Sequence, residues 1–193
     1  MKKITIALNK KSIDQAIQQL LHIKKVFPQM TKDFMEDVAL WVIERANMHL
    51  NNSDIGDNVK IDIRNGWEYD FTSNGIKIIN RTEKAVFVEF GVGLVGQGEP
   101  HPQASIEGYE YNLYSPAKFM GYWSFKTSLD ELDLPKDRVD MQAQGDEYVI
   151  LTQGSQGVWY AYNALVDARM ELAKVNGGEI GEMWDKIVKR YIG

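Results

Sequence analysis

The sequence predicts an α+β protein: N-terminal helices packed on an antiparallel β-sheet meander, a long loop-rich insertion, then C-terminal helices. Three observations carry that prediction. Apolar residues recur at helical spacing near both ends of the chain. Short β-prone runs separated by Asn-Gly signals lie between them. Four of the five prolines fall between residues 91 and 146, where neither period holds. At 193 residues, the length suits a single domain over 1–193 with residues 91–146 as an elaborated insertion.

Taken in order, Ile4, Ile6 and Leu8 alternate with smaller residues and read as a short half-buried strand. Ser12 and Gln15 have capping-box spacing, and Ile13, Ile17, Leu20 and Leu21 then follow a helical stripe that Pro28 is expected to end. Thr31 is placed to cap a second helix running to about Leu50, with Val38, Val42, Ala46 and Leu50 inward. Its opposite face, with Lys32, Asp33, Glu36, Asp37, Glu44 and Arg45, reads as solvated. Four strands are then expected: Val59–Arg64, Trp67–Thr72, Ile76–Asn80 and Ala85–Phe90. The turns Asn65-Gly66 and Ser73-Asn74-Gly75 divide the first three, because Asn and Gly tolerate positive φ. Tyr148–Thr152 reads as a returning strand. Ser155 is placed to cap a helix to about Val175, and Gly177-Gly178 ends it. A last amphipathic helix aligns Ile180, Trp184, Ile187, Val188 and Tyr191.

Composition removes several classes of function. The chain has no cysteine, so disulfides, thiolate metal sites and cysteine nucleophiles are excluded. A net charge of -5 argues against a general phosphate-backbone binder, and no sequence-specific nucleic-acid contact is expected. The excess acidity is local: between Leu129 and Glu147, Asp130, Glu131, Asp133, Asp137, Asp140, Asp146 and Glu147 face only Lys136 and Arg138. The opening MKKITIALNKKS is too short in its apolar run for a signal peptide, and no stretch reaches the ~20 apolar residues that span a bilayer. No membrane partner is expected, and the product reads as cytosolic or released without secretion.

The stretch VEFGVGLVGQGEPHP sets Gly91, Gly93 and Gly96 in the spacing of a dinucleotide-binding loop. Such a loop needs a helix opening at its last glycine, whose amides hold the pyrophosphate. Here Gly98, Pro100 and Pro102 follow, the preceding strands come by hairpins, and no cofactor is expected. His22, His49 and His101 form no cluster of metal-ligand spacing, so no metal is expected either. No nucleophile motif or singled-out carboxylate pair marks catalysis, so the chain is not read as an enzyme. Tyr109, Tyr111, Tyr114, Phe119, Tyr122, Trp123 and Phe125 make a dense aromatic group. Burial beneath the insertion or contact with a partner protein explains it better than base stacking beside an acidic stretch.

Four segments carry a resemblance to a known family. They are ITIALNKKSIDQAIQQLLHIKKVFPQM with the long helix TKDFMEDVALWVIERANMHL; AVFVEFGVG; LVGQGEPHP with GYEYNLY and GYWSF; and TQGSQGVWYAYNALVDARMEL. In that order they resemble the tail-component family of tailed bacteriophages, the gene-product-ten-like head-tail joining and tail-completion proteins. AVFVEFGVG is similar to the family's V-E-F-G-T-G signature, with Val92 where the family has Thr. Gly157-Val158-Trp159-Tyr160 replaces its Pro-Phe-Met region, and NSDIGDNVKIDIRNGW replaces its Thr-Gly-x-Leu segment.

The resemblance implies a minor structural protein of the virion neck or tail, present in the host cytoplasm during assembly. Its partners would be further copies of itself in a ring and other neck, connector or tail proteins. Membership brings no catalytic residues. A ring uses two different faces of each subunit. One is expected on the glycine loop with its insertion (Glu89, Val92, Leu94, Val95) and the other on the C-terminal helices (Trp159, Tyr160, Trp184). Two other classes stay open: a small-molecule or carbohydrate-binding enzyme using Glu89 and His101 beside the aromatics, and a regulator that binds a basic partner through Asp130 to Glu147.

Overall fold

The computed structural model describes residues 10–111, 123–127, 140–144, 147–152 and 154–192. The expected strand at Ile4–Leu8 lies outside them, as do Tyr114, Phe119, Tyr122 and most of the acidic stretch. The fold is α+β, as the sequence predicts, with helices at both ends and small antiparallel sheets between. The chain divides into two compact units. Unit 1 takes Met1–Trp41, Phe71–Ile76 and Ala168–Gly193, and unit 2 takes Val42–Asp70 and Lys77–Asp167. Among the described residues no helix is long and apolar enough to cross a membrane.

Helix α1 runs unbroken over Lys10–Asn51 with Pro28 inside it, where the sequence suggested two helices. Proline removes one N–H from the ladder and crowds the preceding turn. The loss is bearable because Lys24 and Pro28 are both exposed, so water can take the freed carbonyl. Thr31 is no N-cap: its hydroxyl donates to the Phe27 carbonyl at 2.9 Å, one turn back.

In unit 1, α7 (Gly178–Ile192) packs antiparallel to the first part of α1. His22 Nε2 meets the Tyr191 carbonyl at 3.1 Å near one end, and the Trp41 indole donates to Glu179 at 2.7 Å near the other. Between them Phe27 and Phe34 set their rings edge-on to Trp184, and Ile180 and Ile187 are buried. The 180/184/187/191 stripe read from the sequence is this face. The Tyr191 hydroxyl donates to Asp33 at 2.8 Å. Asp33, expected on a solvated face, is only partly exposed. Its carboxyl is held below the ordinary range by the Tyr191 hydroxyl first, then the Gln29 amide.

Unit 2 is built on a core of Ala46, Leu50, Ile63, Ala85, Val88, Tyr160 and Ala164, with Trp67 edge-on to Tyr160 at 6.0 Å between ring centroids. Two of the four expected strands are helices. Residues Asp57–Asn65 form α2 and Glu83–Phe90 form α3. Val-x-Ile-x-Ile looks like a strand, but Val59 and Ile63 turn inward at a four-residue interval while Ile61 stays exposed. In α3, Ala85, Val88 and Glu89 are buried at helical spacing and Val86 faces out. Tertiary burial overrode β-propensity in both. Asn65-Gly66 accordingly ends α2 and makes no hairpin, with the Gly66 amide bonded to the Ile63 carbonyl. The hairpin of β1 (Trp67–Thr72) and β2 (Gly75–Asn80) forms as expected around Ser73-Asn74.

The excursion beyond α3 is tied at its base. Strand β3 (Gly91–Val92) pairs antiparallel with β7 (Gly154–Gln156), in the register Gly91 to Gln156 and Val92 to Ser155. Two short helices, α4 (Gly93–Gly98) and α5 (Ala104–Glu107), occupy the region expected to be loop. Further on, β4 (Trp123–Thr127) and β5 (Asp140–Gln144) flank β6 (Glu147–Thr152), both antiparallel to it. The returning strand was expected almost in place. Ser155 lies in β7 instead of capping a helix, and α6 begins later, at Tyr160–Ala173.

Candidate functional site

A cluster of polar contacts joins the end of α3 to the start of α6. An α-helix opens with amides that have no partner inside it. At α6 two of these, Ala161 N–H and Tyr162 N–H, donate to the two oxygens of the Glu89 carboxylate, each at 2.9 Å. The exchange is reciprocal, because α3 ends with unpaired carbonyls. Val158 N–H donates to the Val88 carbonyl at 2.8 Å and Trp159 N–H to the Glu89 carbonyl at 3.2 Å. Each helix thus caps the other, and a carboxylate at a helix N-terminus also opposes the positive end of its dipole.

His101 closes the arrangement. Gln103 N–H donates to its Nδ1 at 3.0 Å, so the proton of a neutral ring sits on Nε2 and points to Glu89 Oε1, 3.0 Å away. Glu89 and His101 are 7% and 4% exposed, so each hydrogen bond replaces water that cannot reach the group. Aromatic rings fix the imidazole: Phe90 lies 4.3 Å from it centroid to centroid, and Trp159 and Tyr162 meet it edge-on. Tyr109 stacks on Phe90 and donates its hydroxyl to the Gly91 carbonyl at 2.7 Å, while the Tyr111 hydroxyl accepts His101 N–H at 2.8 Å.

Two backbone features allow so close a junction. Gly91 turns out of α3 at φ 80, a left-handed angle that glycine adopts without strain. A Cβ on Gly157 would stand 2.4 Å from the Glu89 carbonyl oxygen, so only glycine lets the link from β7 to α6 approach α3 this closely. Trp159 takes the strained part: its φ is 55, unusual for a bulky residue, and its buried indole N–H has no hydrogen-bond partner. Its amide bond to Glu89 and its carbonyl bond from Asn163 hold it there. Behind it, the Tyr160 hydroxyl reaches the Ala85 carbonyl at 3.3 Å. Burial first, and then the Glu89 carboxylate, pushes that phenol well above its usual range.

A cavity of about 480 Å³ opens beside this junction, lined by Val86, Phe90, Tyr109, Tyr162 and Leu165, with Glu107 and Glu110 exposed in its wall. Glu89 and His101 reach its floor. Glu89 already accepts three hydrogen bonds there, from Ala161 N–H, Tyr162 N–H and His101. Among the described residues no three His, Asp or Glu side chains are placed to hold a metal ion. The glycine spacing runs into a short helix of its own. Its helix, α4, starts at Gly93 and stops at Gly98, two residues before Pro100.

The residues named from the sequence therefore divide. Glu89, Val92 and Tyr160 are interior side chains and build unit 2. Val95 is 42% exposed, and Leu94 contributes its backbone to α4. Trp159 is half-buried at the junction, and Trp184 is half-buried against Phe27 and Phe34 in unit 1. Glu89 and His101 meet, although twelve residues apart, and with them Tyr109 and Tyr111 of the aromatic group. Sequence reasoning missed Gln103, whose amide sets the histidine tautomer, and Gly157, whose missing side chain admits the link from β7 to α6. Only the run Gln-Gly before an aromatic helix start could have signalled the latter. The chain matches no family model, no curated protein and no solved structure.

Proposed function

We propose that the chain is a structural protein of a tailed bacteriophage or prophage, working at the neck or tail by contacts with copies of itself and with neighbouring virion proteins. One observation carries the reading. The separate motifs behind the resemblance, VEFG, GEPHP and QGVWYAYNA, converge on a single junction. Glu89 lies in the first, His101 sits in the second, and Ala161 and Tyr162 lie in the first turn of the helix of the third. Within this junction those residues satisfy one another's polar groups, which calls for no chemistry. Both ionisable side chains are used for architecture, which supports a building role.

A binding enzyme is the second reading, favoured by the cavity above Glu89 and His101. Mass spectrometry of purified particles from the encoding phage decides between them. A structural protein is recovered from intact virions at a fixed copy number relative to the other neck and tail proteins. Its absence from particles, with the chain free in the lysate, overturns the proposal.

A further inference from the structure

We propose that copies of this chain join head to tail, the exposed apolar stripe at the start of α1 in one copy docking into the cavity beside the Glu89–His101 junction of the next. The inference rests on the assembly reading and names the two surfaces that would carry it. One surface lies in unit 1. Ile13, Ile17, Leu20 and Leu21 recur at i, i+4, i+7 and i+8, so they share one helix face, yet each is between 42% and 55% exposed. Unit 1 buries the neighbouring arc, Ala16 and Met30, and leaves this one open.

The other surface lies in unit 2. The cavity offers about 480 Å³ between apolar and aromatic walls, enough to receive aliphatic side chains from a docking helix. Val86 and Leu165 in its wall are 41% and 48% exposed.

Charge selects the occupant. Glu107 and Glu110 line the cavity with no lysine or arginine among its lining residues, its His101 is engaged with Glu89, and neither Glu107 nor Glu110 forms an ion pair among the described residues. Lys10, Lys11, Lys24 and Lys25 flank the α1 stripe against Asp14 alone between Lys10 and Phe27, and these lysines likewise form no ion pair among the described residues. A chain of net charge -5 therefore carries a local basic helix face that matches its own acidic cavity. Two different surfaces meeting in this way give a heterologous contact, which closes into a ring when the rotation allows. The second face thus falls on α1, since Trp184 of the C-terminal helices is engaged with Phe27 and Phe34.

The chain has no cysteine of its own, which makes a crosslinking test direct. Full-length L21C and I106C variants are mixed, joined with a short bismaleimide, and compared with L21C mixed with N74C on the hairpin tip. The expected result is a mixed dimer several-fold above the N74C control. K24E/K25E in the L21C partner should abolish it, and E107K/E110K in the other should restore it. Mixed crosslinks no higher than the control overturn the inference, as does a predominant L21C–L21C product, which would mean symmetric pairing of the stripes. Binding of the wild-type chain to phosphatidylserine vesicles, lost in K24E/K25E without any mixed dimer, would assign the stripe to a membrane surface and also overturn it. Recovery of the chain in purified virions is a separate result, so this inference can fail while the assembly reading stands.

Discussion

Replacing Glu89 probes the junction most sharply. Glu89→Ala removes the acceptor of three donors at once: the part-buried Ala161 N–H and Tyr162 N–H and the buried His101 Nε2–H. Loss of a helix N-cap alone costs about 0.5–2 kcal/mol. Hydrogen bonds to a charged group contribute about 1.5–3 kcal/mol each. The terms are not additive, because water entering the adjoining cavity can recover part of the loss. The expected destabilisation is about 3–5 kcal/mol, the lost cap together with the charged hydrogen bond to His101. With a urea slope of about 2 kcal/mol/M, the unfolding midpoint falls by about 1.5–2.5 M. Glu89→Gln keeps the shape but turns an amide N–H₂ toward one donor, so it should cost less, about 1–3 kcal/mol. Urea titration gives the midpoints, and amide hydrogen exchange at Ala161 and Tyr162 locates the effect. A loss below about 1 kcal/mol for Glu89→Ala, with exchange at those amides unchanged, would refute the reciprocal cap.

Other expectations follow from the same contacts. Gly157→Ala places a Cβ 2.4 Å from the Glu89 carbonyl oxygen, so the link from β7 to α6 must shift. A loss of about 1–3 kcal/mol is expected, with faster exchange at Val158 and Trp159. Tyr160→Phe removes one long hydrogen bond to Ala85 from an otherwise apolar site, and urea titration should show a loss of no more than about 1 kcal/mol. In unit 1 the carboxyl of Asp33 is lowered mainly by the Tyr191 hydroxyl, and that of Glu171 mainly by Lys174 and then by the Glu179 amide. Both bind protons less readily folded than unfolded. Their stabilisation is therefore complete above the ordinary carboxylate range and is lost as pH falls through the lowered folded values. Asp33→Asn should flatten the acid side of the unfolding midpoint against pH, and an unchanged slope would contradict the Tyr191 contact.

Much of the fold was legible because its signal is local. The stripe Ile180, Trp184, Ile187 and Tyr191 needs only a 3.6-residue period, and the β1–β2 hairpin needs only Ser-Asn-Gly between two β-prone runs. The segments that misread were those where local propensity and tertiary burial disagree. Val59–Arg64 and Ala85–Phe90 are rich in β-branched and aromatic residues, yet the core of Leu50, Ile63 and Tyr160 accepts them as helices. Pro28 misled for the converse reason, since an exposed turn tolerates a missing hydrogen bond. At the site, Glu89 and His101 could be singled out by residue type. Their partners could not, because those are backbone amides of Ala161, Tyr162 and Gln103, which any residue except proline supplies.

The proposal that this chain builds a virion is tested most directly by deleting its gene from the encoding phage or prophage and imaging the induced lysate by electron microscopy. A head-tail joining or tail-completion role predicts filled heads and separate tails, with whole particles restored when the chain is supplied in trans. Intact, infectious particles in the deletion lysate would contradict it.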